Sequence, residues 1–466
     1  MRRAEAGIVI AAVLALSACA SFGQDKSTPG TVRANLDPFA STYTRYPGAE
    51  TLIRGATIFD GDGGRIENGA LLIRDGLIVG VSANIADLPA SPGAIIIEAA
   101  GKVVTPGIID VHSHLGDYPS PGVAANEDGN EATAPARADV WAEHSVWPQD
   151  PGFSRALANG GITTLQILPG SANLFGGRSV VLKNVYARTV QGMKFPGAPY
   201  GLKMACGENP KRVYGSKGGP ATRMGNIATT RATWLKAIEY KRGWDAYEKD
   251  GGDAPSRDLG MDTLRGVLEG RILIHNHCYR ADEMAQMIDV AKEMGYKITS
   301  FQHAVESYKI ADLLQAEGIC SAMWADWYGF KMESLDGIQE NIAFVDKAGA
   351  CAIVHSDDAN GIQRLNQEAA KALAFGRRAG VAISDAQAWR WLTSNPAKSL
   401  GIHDRTGSLV AGKMADVILW NGDPFSVYSR PDKVWIDGAL MYNSADPRRR
   451  PVSDFELGQP GDGDVK

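Results

Sequence analysis

Hydrophobic positions along the chain follow two different rhythms. Over residues 51–98, short apolar runs (TLIRGATIF, ALLIRDGLIVGV, AIIIEA) are broken by DGDGGR, ENG and PASPG. Alternating runs punctuated by glycine turns predict an antiparallel β-unit. The same rhythm returns near the other end, where KMADVILW (413–420) and KVWIDGALMY (433–442) flank NGDPF. Together the two stretches predict one small β-sandwich closed by both ends of the chain. Between them, strand-like runs alternate with helix-like ones. GITTLQIL, SVVLKNV, GLKMAC, RILIH, KITSFQH, residues 319–324 and ACAIVH read as strands. ADEMAQMIDVAKEMG, ESYKIADLLQAEG, IQENIAFVDKAGA and QRLNQEAAKALAFGRRAG read as helices, several of them ending on glycine. This βαβα order predicts an α/β fold with parallel strands under covering helices. A strand count near eight predicts a TIM (β/α)8 barrel, in which functional residues gather at the C-terminal strand ends. An open doubly wound sheet is the alternative, but its glycine-rich dinucleotide fingerprint is missing from the sequence. Residues 115–151 and 214–260 are long and polar, and are expected to cover the mouth of the barrel.

The expected organisation is therefore a composite β-sandwich (47–105 plus 405–446), a barrel (106–404) and a C-terminal tail (447–466). The first residues differ in kind. Arg2 and Arg3 precede a short apolar run over residues 7–16, and Leu16-Ser17-Ala18-Cys19 follows. That run is too short to span a bilayer and reads as an export signal over 1–19. Small residues ahead of a cysteine resemble a lipobox, so Cys19 is the expected lipidation site and the periplasm or outer membrane the expected location. Residues 20–46, rich in Ser, Thr, Pro, Gly and Asn, read as a flexible tether. Composition adds limits. The 466 residues carry 22% charged side chains and a formal net charge of −5, so no basic patch invites nucleic acid. The membrane is expected as a partner only through the lipid anchor, a small-molecule amide or peptide as substrate, and a homo-oligomer is left open. Cys206, Cys278, Cys320 and Cys351 have no short spacing among them and mostly sit in or beside apolar runs. They are expected to be buried free thiols rather than a disulfide framework.

Candidate chemistry is concentrated at the ends of apolar runs. VVTPGIIDVHSHL (103–115) ends in His112 and His114, two apart, so a strand points both imidazoles the same way. His275 ends RILIH with His277 two residues on, His303 ends ITSFQH, and Asp357-Asp358 follow AIVHS. Each alone has a bland explanation: a hydrogen-bonded histidine, or a helix cap. Jointly, one such group closing each of several strands converges on one barrel mouth. Imidazoles there hold Zn²⁺ or a similar ion, one position stays open for water, and the water's pKa falls to about 7. A carboxylate such as Asp357 then carries the proton to the leaving group. Lys203 in GLKMAC and Glu208 just after it are alternative further ligands. Arg223 and Tyr240, on the long polar stretch, are candidates to hold a substrate carboxylate or carbonyl.

This order, over roughly residues 51–442, resembles the amidohydrolase superfamily of metal-dependent hydrolases, in its imidazolonepropionase-like and prolidase-like branch, whose first barrel strand carries a PG-hhD-hHhH run. The resemblance implies His112 and His114 as first-strand ligands, His275 as the fifth-strand ligand, His303 as the sixth and Asp357 as eighth-strand ligand and general base. His277 would then contact substrate or polarise the scissile carbonyl. Ser356 stands where the family commonly shows Thr or His. The resemblance also implies one or two divalent ions, expected to be zinc. Two ions would be bridged by a carbamylated Lys203 or by Glu208. Three functions stay open: hydrolysis of amide, dipeptide or cyclic-amide C–N bonds, deamination of a heterocycle with a single metal, and a non-catalytic ligand-binding lipoprotein.

Overall fold

The computed structural model describes residues 35–120 and 122–449. The export signal, Cys19 and the first part of the tether lie outside the described residues, as does the tail from residue 450. The described chain groups into two units, residues 242–256 and the remainder; both sheets and the candidate site belong to the second.

Eight strands pair in chain order: Ile108–Ser113, Ile162–Ile167, Phe175–Lys183, Gly201–Ala205, Leu273–Cys278, Ser300–His303, Cys320–Met323 and Cys351–Val354. Nearly every residue in them is buried, as continuous apolar runs covered on both faces require. Neighbours run parallel except at the third strand, which lies antiparallel to the second and the fourth. No ladder joins the eighth strand to the first, but hydrogen bonds bridge that seam. The Asp357 amide donates to the His112 carbonyl (3.0 Å). The Ser356 amide donates to Asp110 Oδ1 (3.3 Å), and its hydroxyl donates to Asp110 Oδ2. The barrel is thus nearly closed, and Ser356 is one of the residues that close it.

The second sheet is drawn from both ends of the chain. Its spatial order is Ala439–Asn443, Pro431–Ile436, Val417–Trp420, Val103–Pro106, Thr51–Phe59, Arg65–Arg74 and Leu77–Ser82, with Ile95–Glu98 on the first half of Thr51–Phe59. Val103–Pro106 is the junction: Val104 pairs with Leu419 on one side and Ile58 on the other. Ile53, Ile58, Leu71, Val104, Leu419 and Trp435 share its core. The chain passes from this sheet into the barrel at Gly107, where a Cβ would lie 2.1 Å from Thr163 Oγ1. Only glycine fits that close approach.

Three sequence expectations change. The described part of the tether, residues 35–46, is docked: Lys194 Nζ donates to Asp37 Oδ1 (2.7 Å) and the Phe39 carbonyl (2.8 Å), and Arg178 donates to the Leu36 carbonyl (2.6 Å). The long polar stretch after residue 214, whose sequence suggested a covering loop, is largely a helix of 28 residues, Arg223–Asp250. It buries Thr230, Trp234 and Ala237 along one side. The four cysteines are not free thiols; Cys206 bonds Cys278 and Cys320 bonds Cys351. Each disulfide joins neighbouring barrel strands, which bring Cα atoms of residues far apart in sequence to 5.4 Å and 4.4 Å. No helix among the described residues is long and apolar enough to cross a membrane.

Candidate metal centre

Five of the chain's eight histidines stand at or within a residue of the C-terminal ends of barrel strands, and a sixth, His275, lies deeper in the fifth strand. His112 and His114 reach the same carboxylate: their Nε2 atoms lie 3.1 Å and 3.2 Å from Asp357 Oδ1. Imidazole rings of His112 and His303 are 4.5 Å apart, and His355 stacks on His112 at 5.0 Å. His277 meets His303 edge-on at 4.8 Å. Two triplets of ligand atoms, His112/His303/His355 and His112/His114/Asp357, already lie within 4.8 Å of one another. Asp358 turns away and accepts from the amides of Asn360 (2.7 Å) and Gly361 (2.9 Å), so Asp357 is the carboxylate facing the histidines. His303 and Asp357 both hold positive φ, 70° and 69°. Such backbone costs about 1–3 kcal/mol per residue and persists where the surroundings demand it, often at functional sites.

Donor chemistry tests whether a cation belongs here. His112 Nδ1 is 3.0 Å from Gln302 Oε1, and His114 Nδ1 is 2.8 Å from the Leu168 carbonyl. Those oxygens only accept, so each ring carries its proton on Nδ1 and presents a lone pair at Nε2. Burial pushes the His112 imidazole down to about 4, so it is neutral near pH 7. Both lone pairs then point at a carboxylate oxygen, an arrangement that a divalent cation between them would satisfy. Further along the same wall, His277 Nδ1, His303 Nδ1 and both His355 nitrogens are buried without hydrogen-bond partners. Burial pushes all three imidazoles well below their usual value. Buried polar atoms without partners are uncommon and call for a ligand or a proton donor. The residues present fit a metal.

Lys203 and Glu208 are placed very differently. Lys203 is fully buried with Nζ 3.4 Å from His112 Nε2, and burial brings its amine down to about 7. Glu208 opens the helix Glu208–Tyr214 with its carboxylate 3.6 Å from Lys331, and its amide donates to Glu333. His275 and His277 also separate by depth. His275 pairs in register with Lys203 and Ser300, whereas His277 pairs with Ala205 and Gln302, nearer the mouth. His275 Nδ1 lies 2.9 Å from Ser300 Oγ, in a buried polar layer with Gln166 and Ser179. A Cβ on Gly201 would meet Ser179 Oγ at 2.2 Å and His275 Cδ2 at 2.6 Å, so that layer is tightly filled. Arg223 is held by Glu283 and Glu333, and the Tyr240 hydroxyl donates to Asp262 (2.7 Å). Neither is brought into the histidine cluster. His355 is the cluster member that sequence reasoning passed over; its signal was the same as for the others, a histidine closing an apolar run.

Comparisons with known proteins point to one family. A model of the amidohydrolase family matches residues 103–441. The chain is 30% identical over 459 residues to the amidohydrolase tasK of Hapsidospora irregularis, covering 90% of this chain but only 45% of that one. It is 24% identical over 414 residues to an imidazolonepropionase of Mesorhizobium japonicum, covering 79% of this chain and 90% of that one. A solved amidohydrolase structure from Thermotoga maritima superposes with a TM-score of 0.77 at 34% identity, covering 84% of this chain and 100% of the other. With the family model spanning the barrel and the histidines at its strand ends, the chain belongs to the amidohydrolase family.

Proposed function

We propose that the protein is a metal-dependent hydrolase of C–N bonds in amides, dipeptides or cyclic amides, built on a barrel joined to a second sheet drawn from the segments on either side of it. One observation carries this reading: histidine lone pairs, a buried lysine amine and a carboxylate converge at one barrel mouth in an arrangement that a cation completes. His112, His114, His277, His303 and Asp357 would hold the metal, expected to be zinc. On the fifth strand we favour His277, which meets His303, over His275, which pairs in register with Lys203 and whose Nε2 is likewise buried without a partner. Lys203 rather than Glu208 would supply the further metal ligand, since Glu208 is turned towards Lys331. A neutral Lys203 amine would add CO₂ to give a carbamate and a released proton, turning a buried base into a carboxylate that would serve as a metal ligand.

Bound there, a divalent ion supplies positive charge that lowers the pKa of water to about 7 and stabilises a developing oxyanion. The protein's own groups do the rest. Asp357 accepts a proton from the attacking water and delivers it to the leaving nitrogen. Gln302 and the Leu168 carbonyl hold the proton of His112 and His114 on Nδ1, keeping each Nε2 available. His355, stacked on His112, fixes the plane of that ring.

The test is hydrolysis of a dipeptide and N-acyl amino acid panel by purified protein, with metal content measured on the same sample. Asp357→Asn should lower kcat/KM by about 10²–10⁴ with the fold retained by circular dichroism. Full activity in that variant would sink the mechanism. One metal per chain with an unmodified Lys203 would favour deamination of a heterocycle instead.

A further inference from the structure

An aromatic wall rises from the candidate metal centre on one side. Trp324, directly after the seventh strand, stacks on His303 at 4.3 Å and 23°. Its indole N–H donates to the Ser356 carbonyl (3.1 Å), which fixes the ring. Trp327 and Phe330 each lie 5.8 Å from Trp324. Tyr279, which follows the fifth strand, meets His277 at 4.7 Å and Phe330 at 6.2 Å. The outer members of this wall are open, with Trp327 37% and Phe330 57% exposed. Large aromatic rings left in water beside a polar centre are a departure that asks for an occupant.

A cation stands at the same place. Lys331 Nζ sits 4.3 Å from the Tyr279 ring centre and 5.6 Å from that of Phe330. It donates to Asn209 Oδ1 (3.1 Å), and the Asn209 amide lies 3.4 Å from His277 Nε2. Glu208 is the nearest carboxylate at 3.6 Å, longer than a direct hydrogen bond. An ammonium has three donors, so Asn209 and Glu208 leave capacity for a further anion.

Resting on the hydrolase reading above, we infer that this wall is the leaving-group subsite and that it takes an aromatic or large apolar α-amino acid with a free carboxylate. The side chain packs on Trp324, Trp327 and Phe330, and the α-carboxylate pairs with Lys331. Lys331 Nζ stands 5.6 Å from the Phe330 ring centre, so one amino acid can reach both. Hydrolysis adds water across the C–N bond, the acyl carbon gaining the hydroxyl and the nitrogen the proton, so the amino acid leaves as the free amine.

The experiment compares N-acetylphenylalanine, N-acetylphenylalaninamide and N-acetylalanine on the metal-loaded full chain and on Lys331→Gln and Phe330→Ala. The wild type should prefer the phenylalanine substrate over the alanine one by about tenfold or more in kcat/KM. Lys331→Gln should cut the preference for the carboxylate over its amide by about tenfold, and Phe330→Ala should cut the preference for phenylalanine over alanine. Equal loss on carboxylate and amide in Lys331→Gln would show a merely structural lysine and overturn the subsite. Calorimetric binding of phenylalanine needs no turnover and separates this idea from the hydrolase reading. Binding that weakens in both variants supports the subsite even if no amide in the panel is cleaved. Unchanged binding in both, beside active cleavage, overturns the subsite and leaves the hydrolase reading standing.

Discussion

At the scale of single residues, Ser356 and Asp110 show how the site and the scaffold share parts. Asp110 is fully buried, and burial pushes its carboxyl up to about 7. Its partners are the Ser356 hydroxyl, the Ser356 amide and the His112 amide, so it ties the last strand to the first directly beneath the histidines. Ser356→Ala removes one donor to a buried acid and should cost about 1–3 kcal/mol, measured by urea unfolding. The pair His275 and His277 makes a second residue-scale prediction. His277→Ala should lower bound metal, whereas His275→Ala should lower thermal stability first and leave metal content closer to wild type. The reverse ranking in metal analysis would restore His275 as the ligand. The sequence made the candidate set visible because strand periodicity gives parity, and parity puts His112 with His114 and His275 with His277 on shared faces. Depth along the barrel axis is set by pairing register, which one strand's sequence does not contain.

At the scale of elements, the helix Arg223–Asp250 is the instructive miss. Its charged and polar residues mask the apolar rhythm, yet Thr230, Trp234 and Ala237 recur at helical spacing and are among the positions buried. Trp234 packs against Phe175 and stacks on Tyr296 at 4.2 Å. Trp234→Ala should therefore cost about 3–5 kcal/mol, a large fraction of the stability of an ordinary domain, read from the denaturant midpoint. A change below about 1 kcal/mol would mean the helix is not held by this face. The disulfides were hidden for a different reason. Cys206 and Cys278 are 72 residues apart, and Cys320 and Cys351 are 31 apart. Parallel strands adjacent in space are separated in sequence by a whole helical crossover, so cysteine spacing carries no trace of the pairing.

At the scale of the whole molecule, the segments flanking the barrel meet in one sheet through Val103–Pro106 and Val417–Trp420, and the Trp420 indole donates to Thr105 Oγ1 (3.0 Å). That strand hands over at Gly107 to the one carrying His112, so the joining of the two sheet-forming segments and the first candidate metal ligands lie within a few residues of each other. Broad architecture was legible because two rhythms, period two at the ends and strand–helix alternation between, map onto two sheets. Orientation of the third strand and docking of residues 35–46 were not, since both depend on contacts between segments distant in sequence. The central claim is that the histidine cluster holds a metal on which amide hydrolysis depends. The most direct measurement is cleavage of an amide panel by the same sample before chelation, after metal removal, and after stepwise return of zinc, manganese or cobalt. Activity should disappear with the metal and return in proportion to the ions rebound per chain. Hydrolysis that survives complete metal removal, or a metal-loaded protein that cleaves no amide, would contradict the account.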